Sequence, residues 1–114
     1  MIKFTPTPDF KASAKRLGKH YPSLRDDIKG LLKSLKQNPE LGTSLGGGYR
    51  KIRLPISSKA KGKSGGARVI TLNCLVAEKE GEIILVKIYD KSETESVSMK
   101  EIRKAFAALK IDRG

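Results

Sequence analysis

The hydrophobic period of this chain changes from helical to alternating near Glu40, and that change constrains the fold more than any other feature. Before it, Phe10, Ala14 and Leu17, then Leu24, Ile28, Leu31, Leu32 and Leu35, recur at helical spacing. After it, Tyr49-Arg-Lys-Ile-Arg-Leu-Pro-Ile56 alternates with period two, as a strand with two unlike faces requires. Amphipathic helices followed by alternating strands read as an α+β fold.

The punctuation supports this division. A short strand is expected around Ile2 to Phe4, and Thr7 can cap a helix with Pro8 at its first position. That helix should end between Gly18 and Tyr21, before Pro22. Ser23-Leu-Arg-Asp26 resembles a capping box, and Asn38-Pro39 stops the second helix, so the two read as an αα-hairpin. After the Tyr49 to Ile56 strand, the lysine- and glycine-rich connection 57–66 leads to a strand from about Arg68 to Ala77. A turn at Lys79-Glu-Gly81 leads to another from Ile83 to Tyr89, and Ser98-Met-Lys-Glu101 opens a last helix with Met99, Ile102, Ala105, Phe106 and Leu109 as its stripe. The expected order is strand, two helices, three antiparallel strands, helix.

Strict alternation puts Ile52, Leu54 and Ile56 on one face of the first long strand, and Ile84, Val86 and Ile88 on one face of the last. Two helices covering that apolar face would leave Tyr49, Lys51, Arg53, Lys87 and Tyr89 facing water or a ligand. The same parity sets Arg68 with Ile70 and Leu72, so bringing Arg68 to the polar face requires a bulge at its strand start.

The 114 residues fit one domain, 1–114, and no internal repeat or linker divides them. The 24 Lys/Arg against 12 Asp/Glu leave a net charge of +12, which points to a polyanionic partner, nucleic acid first. A membrane partner is disfavoured, because no segment pairs a basic face with an aromatic and leucine-rich one. Met1-Ile-Lys-Phe-Thr-Pro6 lacks the apolar core of a signal peptide, so the cytoplasm is the expected compartment. Cys74, in an apolar run, reads as a small buried hydrophobe, and His20 as a helix-terminal residue. One Cys and one His offer no metal-ligand spacing, so neither metal nor cofactor is expected. No Ser/His/Asp or Cys/His set can be assembled.

Charge is concentrated rather than spread. Between Leu45 and Arg68 stand Arg50, Lys51, Arg53, Lys59, Lys61, Lys63 and Arg68 with no acidic residue among them. Cations beside glycine-rich backbone suit a phosphate chain. Gly62-Lys63-Ser64 is not a Walker loop: Ser57 stands where a glycine is needed, and a strand follows where a helix should.

Three runs, Leu45-Gly-Gly-Gly-Tyr-Arg-Lys-Ile-Arg-Leu54, Lys61-Gly-Lys-Ser-Gly-Gly-Ala-Arg-Val-Ile70 and Ile88-Tyr-Asp-Lys-Ser-Glu93, together resemble the RelE/HigB superfamily of bacterial toxins, nearest to the HigB type. The resemblance spans nearly the whole chain. It implies a RelE-like fold with an N-terminal strand and αα-hairpin packed on a small antiparallel sheet. It also implies the toxin of a type II toxin–antitoxin pair, cutting messenger RNA in the ribosomal A site and silenced by a cognate antitoxin. That antitoxin is expected to be a small acidic helix-turn-helix protein. By position, the basic residues of the family's central strand fall on Lys51 and Arg53, the arginine opening the next strand on Arg68, and the basic residue after the last strand on Lys91. Relatives often carry a tyrosine or histidine near the C-terminal segment, where this chain reads Ser96-Val-Ser-Met-Lys100; Tyr89 and Tyr49 are the available substitutes.

The residue types suit the chemistry. Metal-independent cleavage of RNA through its own 2′-OH needs a base, charge stabilisation on the phosphorane and an acid for the leaving oxygen. Lys51, among cations and desolvated by RNA, is the candidate base, and Arg53 and Arg68 can fork onto phosphate oxygens. The expected catalytic set is Lys51, Arg53, Arg68, Lys91 and Tyr89, and the expected RNA contacts are Tyr49, Arg50, Lys59, Lys61, Lys63 and Lys87. Two other classes fit the sequence: a ParE-like toxin that inhibits DNA gyrase without cutting, and a non-catalytic RNA-binding module.

Overall fold

Caps set the helices where the sequence supplies them. In the computed structural model, which describes residues 1–59 and 66–113, β1 (Ile2–Pro6) runs into α1 (Pro8–His20), followed by α2 (Leu24–Gln37). β2 (Thr43–Gly46), β3 (Tyr49–Leu54), β4 (Ala67–Ala77) and β5 (Glu80–Asp90) then lead to α3 (Met99–Arg113). Thr7 Oγ1 accepts from the Phe10 amide at 3.0 Å, and Pro8 takes the first helical position. At α3 the capping box closes both ways: Glu101 N donates to Ser98 Oγ at 3.1 Å, and Ser98 N donates to Glu101 Oε1 at 3.1 Å. At α2 the expected box does not form. Ser23 makes no side-chain cap bond and instead donates to Asp27 Oδ2 at 2.7 Å.

The strands form one sheet in the order β1-β5-β4-β3-β2. It is mixed, not antiparallel as expected: β1 pairs with β5 in parallel, while the other three pairings are antiparallel. β4 already occupies the other edge of β5, so the N-terminal strand adds outside it, and α1 and α2 belong to the long crossover that a parallel pair requires. The sequence reading also passed over β2. Its signal is Gly47-Gly48, a two-residue hairpin turn between paired Gly46 and Tyr49, with φ of 62° and 87° that disfavour other residues.

Two cores sit on opposite faces of the sheet. On the first, Phe10 and Leu17 of α1 and Leu24, Leu31 and Leu35 of α2 pack against Ile52, Leu54, Val69, Ile83, Leu85 and Ile88. On the second, Ile102, Ala105 and Leu109 of α3 cover Tyr49, Ile70, Leu72, Ile84, Val86 and Tyr89. Two expectations are thereby corrected. Ile84 and Val86 do not share a face with Ile88, because Ile70 pairs with Lys87 while Thr71 pairs with Leu85, leaving Val86 as an extra residue that inverts the alternation. Nor is the second face left open to solvent, since the apolar residues that this inversion and β4 place there must be covered. α3 buries Tyr49 and Tyr89 to 8% and 6% exposure. A further correction concerns Cys74, which is exposed beside the Leu75/Ala77 irregularity near the end of β4.

Thr7 ties the first helix to the bulge. Fully buried, its hydroxyl donates to Val86 O at 2.7 Å while capping α1. Thr7→Ala should therefore destabilise the protein by about 2 kcal/mol in urea unfolding, losing a cap and stranding a buried carbonyl, and Thr7→Ser should recover most of it.

Candidate nucleic-acid interface

Register decides which cations meet. Arg53 pairs with Arg68 and Arg68 with Tyr89, while Thr43, Lys51, Ile70 and Lys87 form the neighbouring cross-strand row. Side chains in register across a sheet project to the same face, so Lys51, Arg53 and Arg68 share one. No bulge at the start of β4 is needed to bring Arg68 there. Ile70 and Leu72 also belong to that face, and α3 covers them together with Tyr89.

There the surface sinks into a cleft of about 270 Å³ lined by Gly42, Thr43, Lys51, Arg53 and Arg68. Among the described residues no carboxylate lines it. Its wall depends on Gly42, whose φ is +97° and whose approach to β3 is so close that an added Cβ would lie 2.5 Å from Lys51 O. Arg50, on the other face of β3, holds that wall: Nη2 donates to Gly42 O at 2.8 Å and Nε to Leu41 O at 3.3 Å. Arg50, expected as an RNA contact, is thus a support of the cleft. Thr43 and Gly42 were not anticipated; the glycine turn that creates β2 is the signal that would have placed them beside Lys51.

The other expected residues divide. Tyr89 lies next to Arg68 in the row, and burial pushes its phenol above the ordinary value while the Arg68 charge pulls the other way. It therefore keeps its proton and suits the role of donor, not base. Tyr49 is likewise raised by burial, against the pull of Arg103, and lies beneath α3. Lys91 follows β5, its amide donating to Gly66 O at 3.0 Å and its ammonium to Glu95 O at 2.7 Å, outside the cleft lining. Lys87 turns away to Asp9 at 3.2 Å, in a separate hollow of about 350 Å³ shared with Glu101 and Lys104. Lys61 and Lys63 lie outside the described residues.

Lys59 is committed elsewhere. Its ammonium donates to Asp90 Oδ1 at 2.9 Å and sits 5.5 Å from the centre of the Tyr21 ring. Asp90, 1% exposed, also accepts from Tyr21 Oη at 2.6 Å, from Ser92 N at 2.9 Å and from Ser92 Oγ at 2.7 Å. Burial pushes the Asp90 pKa up, but the bonds from Tyr21, Lys59 and Ser92 outweigh it and hold the carboxyl far below the ordinary carboxylate range. So placed, Asp90 joins the corner between α1 and α2, the residue before the 60–65 segment and the end of β5. A second carboxylate, Asp27, does similar work, accepting from Ser57 Oγ at 2.6 Å and Ser57 N at 3.1 Å. The sequence reading missed both roles, since each depends on residues about thirty or more positions away, such as Tyr21 for Asp90 and Ser57 for Asp27.

No protein-family model matches this chain, and no curated protein does. Two arginines and a lysine, with no carboxylate among the described lining residues, form a site for anionic oxygen, and arginine forks match phosphate geometry. The charges sharing Lys51's face are Arg53 and Arg68, not Arg50. Among the described residues no three His, Cys, Asp or Glu side chains gather as metal ligands, and no helix is long and apolar enough to cross a membrane.

Proposed function

We propose that this protein is a ribosome-dependent messenger-RNA endonuclease, the toxin of a type II toxin–antitoxin pair with a RelE-like fold, acting in the cytoplasm. One observation carries the reading: Lys51, Arg53 and Arg68, from two strands and 17 positions apart at the extremes, line a single cleft. In this mechanism Lys51 removes the 2′-OH proton, Arg53 and Arg68 hold the phosphate and its developing charge, and Tyr89 supplies a proton toward the leaving oxygen. No metal takes part. The cognate antitoxin silences the protein by laying an acidic segment over the cleft.

A second reading, RNA binding without cleavage, is favoured by the burial of both Tyr49 and Tyr89 and by the absence of an aromatic between positions 96 and 100. Expression of the chain alone distinguishes these. Growth arrest with new 5′ ends inside translated regions is the expected result. Normal growth with intact messages overturns the nuclease reading, and intact messages with arrested DNA replication point instead to gyrase.

A further inference from the structure

A second concentration of charge lies outside the cleft. On α1, Lys11, Lys15 and Lys19 recur every four residues; on α2, Arg25, Lys29 and Lys33 do the same, with Lys36 three further on. All are exposed, on the sides of the helices opposite Phe10, Leu17, Leu24, Leu31 and Leu35. Among the described residues none of them has an ion-pair partner. The remaining cation of α1, Arg16, pairs with Glu93 at 3.3 Å. The acids of these helices offer little neutralisation. Asp9 holds Lys87, Asp27 accepts from Ser23 and Ser57, and only Asp26 stands exposed in the first turn of α2.

Such stripes oppose the helices that carry them. Successive members are about 6 Å apart along the axis, inside the screening length of ~8 Å at physiological salt. Like charges at this spacing destabilise a helix, and solubility would be served as well by mixed signs. A bound polyanion reverses the balance. α2 packs on the face of the sheet opposite the one bearing Lys51, Arg53 and Arg68, so its stripe belongs to a different surface from the cleft.

We propose that the outward faces of α1 and α2 form a second polyanion-binding surface, whose ligand is the phosphate backbone of a folded RNA helix. A single strand is less suited, because neither helix exposes a Phe, Tyr or Trp on which bases can stack. Duplex recognition works through backbone and shape and needs only placed cations. A lipid surface lacks its anchor: among the described residues the large exposed hydrophobic side chains are Met1 and Val76, and neither lies on these helices. This surface is independent of whether the cleft cuts RNA.

The test is a binding titration of a fluorescent, blunt-ended RNA hairpin over a range of salt, using the full chain. R25Q/K29Q/K33Q/K36Q should weaken binding at least tenfold near 0.1 M salt and reduce the slope of log K against log salt by about three to four, since each lost phosphate contact releases close to one ion. Glutamine keeps the helix propensity, and the charge-retaining R25K/K29R/K33R/K36R should bind like the parent. K51A should leave the loss caused by the α2 changes intact, so that a protein which cuts nothing still passes. Unchanged duplex affinity and slope in the glutamine variant overturns the proposal, as does an equal loss in the charge-retaining variant. Unaffected RNA binding with lost binding to phosphatidylserine vesicles overturns it in favour of a membrane.

Discussion

Lys51→Ala should slow single-turnover cleavage of A-site message by about 100-fold or more at saturating protein, the scale of a lost general base, while affinity for the programmed ribosome falls only modestly. The expectation rests on the position of Lys51 in the cleft with Arg53 and Arg68, and on the proposed nuclease function. Arg68→Ala should behave differently, lowering both rate and affinity, because a guanidinium on the scissile phosphate acts in the ground state and more strongly in the transition state. Lys59→Ala is a contrast of another kind: its ammonium is bound to Asp90, so its loss should appear in stability before it appears in RNA affinity. If Lys51→Ala cleaves at the parent rate once saturated, Lys51 only binds, and the base lies elsewhere. Tyr89 is a poor successor, since its raised pKa makes its phenolate scarce at neutral pH.

Asp90→Ala should cost at least about 3 kcal/mol of unfolding free energy, the scale for removing one partner of a buried ion pair. It strands the Lys59 ammonium, only 15% exposed, and removes the acceptor of Tyr21 and Ser92 together. Tyr21→Phe, which deletes one of those bonds, should cost about 1 kcal/mol. The sign of the acid response follows from the depressed carboxyl. Because Asp90 ionises more readily folded than unfolded, its contribution is fully present above the ordinary carboxylate value near pH 4 and is lost as pH falls below it. Urea melts between pH 7 and pH 3 should therefore show stability falling with acid in the parent and falling less in Asp90→Asn. A loss under 1 kcal/mol for Asp90→Ala, or equal acid sensitivity in Asp90→Asn, would remove Asp90 from the role of structural hub.

Local signals in the sequence determined the elements. Thr7-Pro8 and Ser98 to Glu101 announce helix starts because the capping groups lie within one turn of the amides they satisfy. The period change near Glu40 separates helices from strands because side-chain spacing is a property of the local backbone. Parity along β3 placed Lys51 and Arg53 together for the same reason. Pairing was another matter. The parallel docking of β1, the hairpin that brings Thr43 to Lys51, and the extra residue Val86 that inverts the faces of β5 depend on register between distant strands, which alternation within one strand does not contain. Those pairings determine that Arg68 joins the cleft without a bulge, that Lys87 goes to Asp9 and that Tyr49 and Tyr89 are roofed by α3. The sequence determined how much positive charge the protein carries and where along the chain; only the tertiary structure decided which charges remain open to a ligand, because neutralisation by Asp9 and Asp90 is a contact made across 78 and 31 positions.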